Sequence, residues 1–147
     1  MQSYIDGEYF NELINGLDVC FISSVDSAGF PNTKAMLPPR KREGLHSIWF
    51  STNTSSMRVS QFRANPKACV YFCNRRSFQG LMLLGTVVVL ENAEIKEALW
   101  RDGDEQYYSL GVTDPDYCVL RFTGRNGRYY NGRQTAAFDI KPPEYSA

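Results

Sequence analysis

At 147 residues, with 43 % hydrophobic and 14 % aromatic side chains, the chain has the size of one domain spanning residues 1–147 and the composition of a globular protein, which excludes a disordered one. Sixteen basic and sixteen acidic residues cancel to a formal charge of zero, so the whole molecule has no bulk attraction for a polyanion. The longest apolar run, residues 81–90, is broken by Gly85 and Thr86 and is too short to cross a bilayer as a helix.

Residues 4–14 carry apolar side chains at 5, 9, 10, 13 and 14, a helical spacing that Asn15-Gly16 ends. The acidic start at Asp6, Glu8 and Glu12 has no basic-then-apolar leader pattern, so a cytoplasmic location is expected. Residues 17–25 predict a strand. Turn chemistry at 26–29 and an extended stretch at 31–37 make the pair a hairpin. Pro38-Pro39 removes two ladder donors, and the following Arg40-Lys41-Arg42 predicts an exposed loop. Strand 46–51, helix 55–64 and strand 68–73 follow, the last two separated by Asn65-Pro66. Residues 78–90 predict a long strand in which Gly85 marks a bulge or a close backbone approach. Asn92 caps a helix over 93–101, with Ile95, Leu99 and Trp100 towards its buried side. After an irregular acidic stretch with a turn at Asp114-Pro115, strand 117–123 turns at 124–127 into 128–131, and 135–140 adds an extended piece. Five to seven strands joined mostly by hairpins, without regular strand–helix alternation, predict an antiparallel barrel-like β fold with peripheral helices.

Cys20, Cys69, Cys73 and Cys118 have no CxxC spacing. Cys69 and Cys73 share one face of a strand about 13 Å apart, too far for one disulfide or one metal, and read as buried small hydrophobes. His46 has no partner at ligand spacing, so no metal site is expected.

The chemistry concentrates between residues 48 and 72. A hydroxyl-rich run, Ser51-Thr52-Asn53-Thr54-Ser55-Ser56, precedes Met57 and Arg58 at the start of a helix, where free backbone N–H groups favour an anion. Arg58 adds a charge and up to five donors where a phosphate would lie. The run lacks the glycines of a Walker loop or a dinucleotide fingerprint. The alternative is structural: Ser55 or Ser56 caps a surface helix and Arg58 is solvated. Charge segregation favours the anion site. Residues 31–80 hold nine basic side chains (Lys34, Arg40, Lys41, Arg42, Arg58, Arg63, Lys67, Arg75, Arg76) and one acid, Glu43.

Gly29-Phe30-Pro31, Lys34-Ala35-Met36, Ile48-Trp49-Phe50-Ser51-Thr52, Ser56-x-Arg58, Asn65-Pro66-Lys67, Gly85-Thr86-Val87, Trp100 and Arg128-Tyr129-Tyr130 occur in an order and spacing over residues 5–132 that resemble the pyridoxamine 5′-phosphate oxidase-like superfamily. Within it, the chain is most similar to the short general stress protein type. The resemblance implies a mainly β, FMN-binding split β-barrel that works as a homodimer, with each flavin between subunits. It implies that Lys34 faces the phosphate, that Ala35 and Met36 offer backbone groups to the isoalloxazine edge, that Ser51 and Thr52 contact flavin and ribityl chain, and that Ser56 and Arg58 bind the phosphate. Tyr130 falls where related short proteins often place an aromatic near the flavin, whereas Trp49 and Trp100 read as core. Oxidases proper carry a basic residue where this chain has Met57, a Lys where Pro38-Pro39 stand, and an Arg-rich tail where it has Lys141-Pro142-Pro143-Glu144. The cofactor site matches better than the vitamin B6 substrate site.

The expected function is therefore a cytoplasmic FMN-dependent oxidoreductase of general stress type, exchanging electrons with a small-molecule donor or acceptor. The flavin carries that chemistry, and no catalytic side chain is assigned. The alternative is a binding protein that senses or stores a flavin or a related ligand without turnover. Nucleic acid is disfavoured as a partner, because the basic block is short and the net charge zero.

Overall fold

A computed structural model of the chain describes residues 7–143. A 3₁₀ turn at Gly7–Phe10 leads into α1 (Asn11–Asn15), followed by β1 (Cys20–Val25), β2 (Pro31–Met36), β3 (Lys41–Glu43) and β4 (Ser47–Asn53). Then come α2 (Met57–Ala64), β5 (Lys67–Asn74), β6 (Gln79–Leu90), α3 (Ala93–Leu99), β7 (Tyr117–Asn131) and β8 (Gln134–Asp139). The strands form one antiparallel sheet in the order β2-β1-β5-β6-β7-β4-β3, and β8 pairs with the second half of β7. Among the described residues, no helix is long and apolar enough to cross a membrane.

Period-two alternation places Ile22, Phe50, Val70, Phe72, Leu81 and Leu83 on the inner face of this curved sheet. Phe10, Leu13 and Ile14 from the N-terminal turn and α1, and Val59 and Phe62 from α2, close that core. β4 breaks the alternation: its first four residues are all buried. Its other face lies under a second cluster in which Trp49, Tyr117 and Val119 meet Leu99 and Tyr108, with Trp100 packed alongside. A strand covered on both faces reads as a continuous apolar run.

Several expectations are corrected here. Residues 124–127 are not a turn, because β7 runs unbroken from Tyr117 to Asn131 along the whole of β6. The register shifts between Leu84 and Gly85, so that Gly85 pairs with Gly124, Leu84 pairs with Asn126, and Arg125 is the extra residue. The glycines answer to close approach: a Cβ at Gly85 would overlap the Thr123 carbonyl, and one at Gly127 the Met82 carbonyl. Arg40-Lys41-Arg42 is no free loop either. Its last two residues form the edge strand β3, and Arg40 is buried. The predicted helix over 4–14 falls partly outside the described residues and begins within them as a 3₁₀ turn, with Tyr9 exposed. The α3 helix stops at Leu99, and Asn92 precedes it without a capping side-chain bond. Cys69 and Cys73 are half-buried on the outer face of β5, whereas Cys20 and Cys118 are fully buried. Burial pushes the Cys20 thiol up to about 12.

Candidate functional site at the start of α2

β4 delivers the chain to α2 through residues 54–56, and that turn is built by hydrogen bonds to one distant residue. The Thr54 N–H donates to the Asp116 carbonyl (2.7 Å), the Ser55 N–H to Asp116 Oδ1 (2.8 Å), and the Asn53 amide Nδ2 to Asp116 Oδ2 (3.1 Å). These bonds hold the Asp116 carboxyl below the usual carboxylate range. The Ser56 N–H donates to the Asn53 carbonyl (3.1 Å).

Ser56 stands at the N-cap of α2 with extended backbone, φ −70° and ψ 150°, yet its hydroxyl makes no capping bond. The Ser56 Oγ is buried and without a partner among the described residues, and so are Thr54 Oγ1 and Arg58 Nε. Arg58 is half-buried. Its Nη2 donates to Thr52 Oγ1 (2.6 Å), and no carboxylate pairs with it among the described residues. Burial pulls its guanidinium below the ordinary value, the direction expected when a charge loses water. Neither half of the structural alternative therefore holds: the serine does not cap, and the arginine is not simply solvated. The buried Ser56 hydroxyl and Arg58 Nε–H, with the Met57 and Arg58 N–H groups that precede any intrahelical acceptor, are donors at the start of α2 for which the described residues supply no acceptor.

Thr52 is buried and joined to Arg58. Ser51, one residue earlier on β4, is half-buried and projects to the opposite face. Lys34 on β2 lies opposite Ile22 on the sheet face against which α2 packs through the Ser24 hydroxyl and Gln61. It is exposed, and among the described residues no hydrogen bond or ion pair ties it to Ser56 or Arg58. Met36 is buried in the main core, and Ala35 is exposed on the outer face beside Phe21. Tyr130 lines a hollow of about 210 Å³ on the outer face with Tyr71, Cys73, Phe78, Gly80 and Gly132, away from α2.

Two residues that matter here gave little sequence signal. Asp116 sits in Asp114-Pro115-Asp116, which reads as a turn, and only the pairing of Asn53 with Tyr117 brings it to the 53–56 turn. Arg40 pairs through both terminal nitrogens with Asp104 (2.7 and 2.8 Å), and both side chains are buried. That ion pair fastens the 100–116 segment to the edge of β3.

The pyridoxamine 5′-phosphate oxidase family model matches residues 7–131. The chain belongs to this family. A Clostridium acetobutylicum protein, related to general stress protein 26 of B. subtilis and described as of the pyridoxinephosphate oxidase family, shares 41 % identity. Its structure superposes with a TM-score of 0.84, covering 92 % of this chain and 97 % of that one. General stress protein 26 of Bacillus anthracis is 17 % identical, with a TM-score of 0.72 over 90 % of this chain and 98 % of its own. The fold is also that of a heme binding protein from Mycobacterium smegmatis, at 11 % identity and a TM-score of 0.69, covering 90 % of this chain and 57 % of that one. No curated protein matches the chain. The family member described here is thus a mainly β split barrel of the general stress protein branch.

Proposed function

We propose that this family member binds FMN with the phosphate on the Ser56–Arg58 turn and works as a flavin-dependent oxidoreductase, not as a pyridoxamine phosphate oxidase. One observation carries the reading: among the described residues, Arg58 is a half-buried cation with no carboxylate partner, and its Nε and the neighbouring Ser56 Oγ are buried donors with no acceptor. A doubly charged phosphate monoester at a helix N-terminus supplies the missing acceptors.

In this reading the Arg58 guanidinium pairs with the phosphate and Thr52 Oγ1 fixes its orientation. The Ser56 hydroxyl and the N–H groups of Met57 and Arg58 donate to the remaining oxygens. Lys34 adds charge from β2, and Ser51, Ala35 and Met36 are assigned to the flavin and ribityl portions on the strength of the family resemblance. FMN, when bound, supplies hydride or electron-pair transfer. A second copy of the chain covers the outer sheet face and completes the flavin groove. Met57 and Pro38-Pro39, standing where oxidases proper carry cations, remove charge pairing that would orient pyridoxamine phosphate.

The test is anaerobic mixing of the FMN-loaded protein with NADH or NADPH while the visible flavin band is followed. Bleaching within seconds supports the oxidoreductase. Brisk aldehyde formation from pyridoxamine phosphate would contradict the exclusion of that substrate. A second reading, a ligand-binding protein without turnover, draws on the fold shared with the heme binding protein. It predicts no bleaching with either donor, and a flavin or tetrapyrrole spectrum in the purified protein identifies the ligand.

A further inference from the structure

We propose that Asp116 sets the phosphate preference of this site without touching the ligand, by holding the 53–56 turn in the shape that leaves the Ser56 hydroxyl uncapped. The inference rests on the FMN reading above. A serine at an N-cap ordinarily turns its hydroxyl onto a first-turn N–H, which removes a donor and an acceptor together from any ligand. Here that does not happen.

The carboxylate and carbonyl of Asp116 take the Asn53 amide and the Thr54 and Ser55 N–H groups, and the Asn53 carbonyl takes the Ser56 N–H. The backbone donors of the turn are thereby spent inside the protein. Among the described residues, the donors left at the start of α2 include the Ser56 hydroxyl, Arg58 Nε and the N–H groups of Met57 and Arg58, which precede any intrahelical acceptor, and the buried Thr54 hydroxyl is also unpartnered. A terminal phosphate offers several acceptors to such a set.

Asp116 can impose this shape because it is itself held. Its N–H donates to Asp114 Oδ1 (2.9 Å), and Asp114 Oδ2 accepts from the Leu110 N–H (3.1 Å). The buried Lys96 Nζ donates to the Asp114 carbonyl (3.0 Å), and Tyr117, the next residue, is fully buried. Asp116 is thus a positioning residue, an acid beside an anion site that faces the turn's amides.

The test titrates FMN and riboflavin into the full chain, Asp116→Ala and Asp116→Asn by flavin fluorescence, and follows hydrogen exchange at the Thr54 and Ser55 amides. In Asp116→Ala the preference for FMN over riboflavin should fall about tenfold while riboflavin affinity stays within about twofold and Ser55 exchanges faster. Asp116→Asn keeps an acceptor for the Ser55 N–H and should retain more of the preference. An unchanged preference, or equal loss of both flavins, overturns the positioning role. A wild-type chain with no preference overturns the phosphate reading itself, before any variant is compared, and this inference with it.

Discussion

Arg58 and Arg40 are both withdrawn from solvent, and among the described residues only Arg40 has a counter-ion. Arg40 is neutralised by Asp104 in a buried bidentate pair. Removing one partner of such a pair strands the other charge, so Arg40→Ala should cost about 3–5 kcal/mol of stability in a denaturant titration. Arg58→Ala should behave in the opposite way. It removes an unpaired, partly desolvated charge, so the thermal midpoint of the ligand-free protein should hold or rise. FMN affinity should nevertheless drop about ten- to a hundredfold, the worth of one charged hydrogen bond of roughly 1.5–3 kcal/mol. The same ion pair sets an acid limit. Hydrogen bonds from Arg40 hold the Asp104 carboxyl below its usual value. The unfolded chain therefore binds this proton more readily than the folded one, and the stabilisation is fully present above the unfolded carboxylate value of about 4 and lost as pH falls through the folded value. Unfolding curves across that window should show less acid loss in Asp104→Asn than in the wild type. At this scale the sequence was legible only in part. The place of Arg58 after a hydroxyl run was legible, and the structure sets it half-buried against Thr52. The separate fates of Arg40 on Asp104, Lys41 over the Trp49 ring (4.7 Å) and Arg42 on Asn11 and the Gly44 carbonyl depended on tertiary partners that no local pattern announces.

Strands carry the architecture, and the long pair β6 and β7 carries most of it. β7 serves β4 with its first half and β8 with its second, while β6 pairs along both, so the bulge at Arg125 lies where the two partners change over. Glycines at 85, 124 and 127 permit that crowding. Gly127→Ala would press a methyl group against the Met82 carbonyl and the Phe138 ring, and should cost about 1–3 kcal/mol, read as a lower urea midpoint. These glycines show why a sheet is harder to read than a helix. A glycine required by close approach and one required by a turn look alike in sequence, and only the pairing register tells them apart. The hairpin of β1 and β2 was legible because Asp26-Ser27-Ala28-Gly29 is local turn chemistry. Asp26 Oδ1 accepts the Ala28 and Phe30 N–H groups (3.0 and 2.9 Å), and Gly29 adopts φ +86°. The α2 helix was legible in place but not at its start, because an N-cap serine with a free hydroxyl is indistinguishable in sequence from one that caps.

Across the whole molecule, the inner sheet face is filled and the outer one is not. Phe21, Tyr71 and Met82 lie side by side on β1, β5 and β6, and Cys69 pairs with Leu84 in the next row. Phe21, Leu84 and Val88 remain exposed there. An apolar sheet face of this kind favours self-association. Light scattering should therefore give about twice the 16.8 kDa chain mass, and a monomer that still binds FMN tightly would contradict a groove shared by two copies. The fold class was legible because strand patterns and turns are local. The joining of the 53–56 turn, Asp116 and Arg58 into one site was not, because it depends on residues about sixty positions apart. The central claim, that this site is built for a phosphate, is tested most directly by titrating the wild-type chain with FMN and with riboflavin under identical conditions. A site built for a phosphate should bind FMN tighter by about tenfold or more, the share of a charged hydrogen bond to the phosphate. Equal affinity for the two would contradict it.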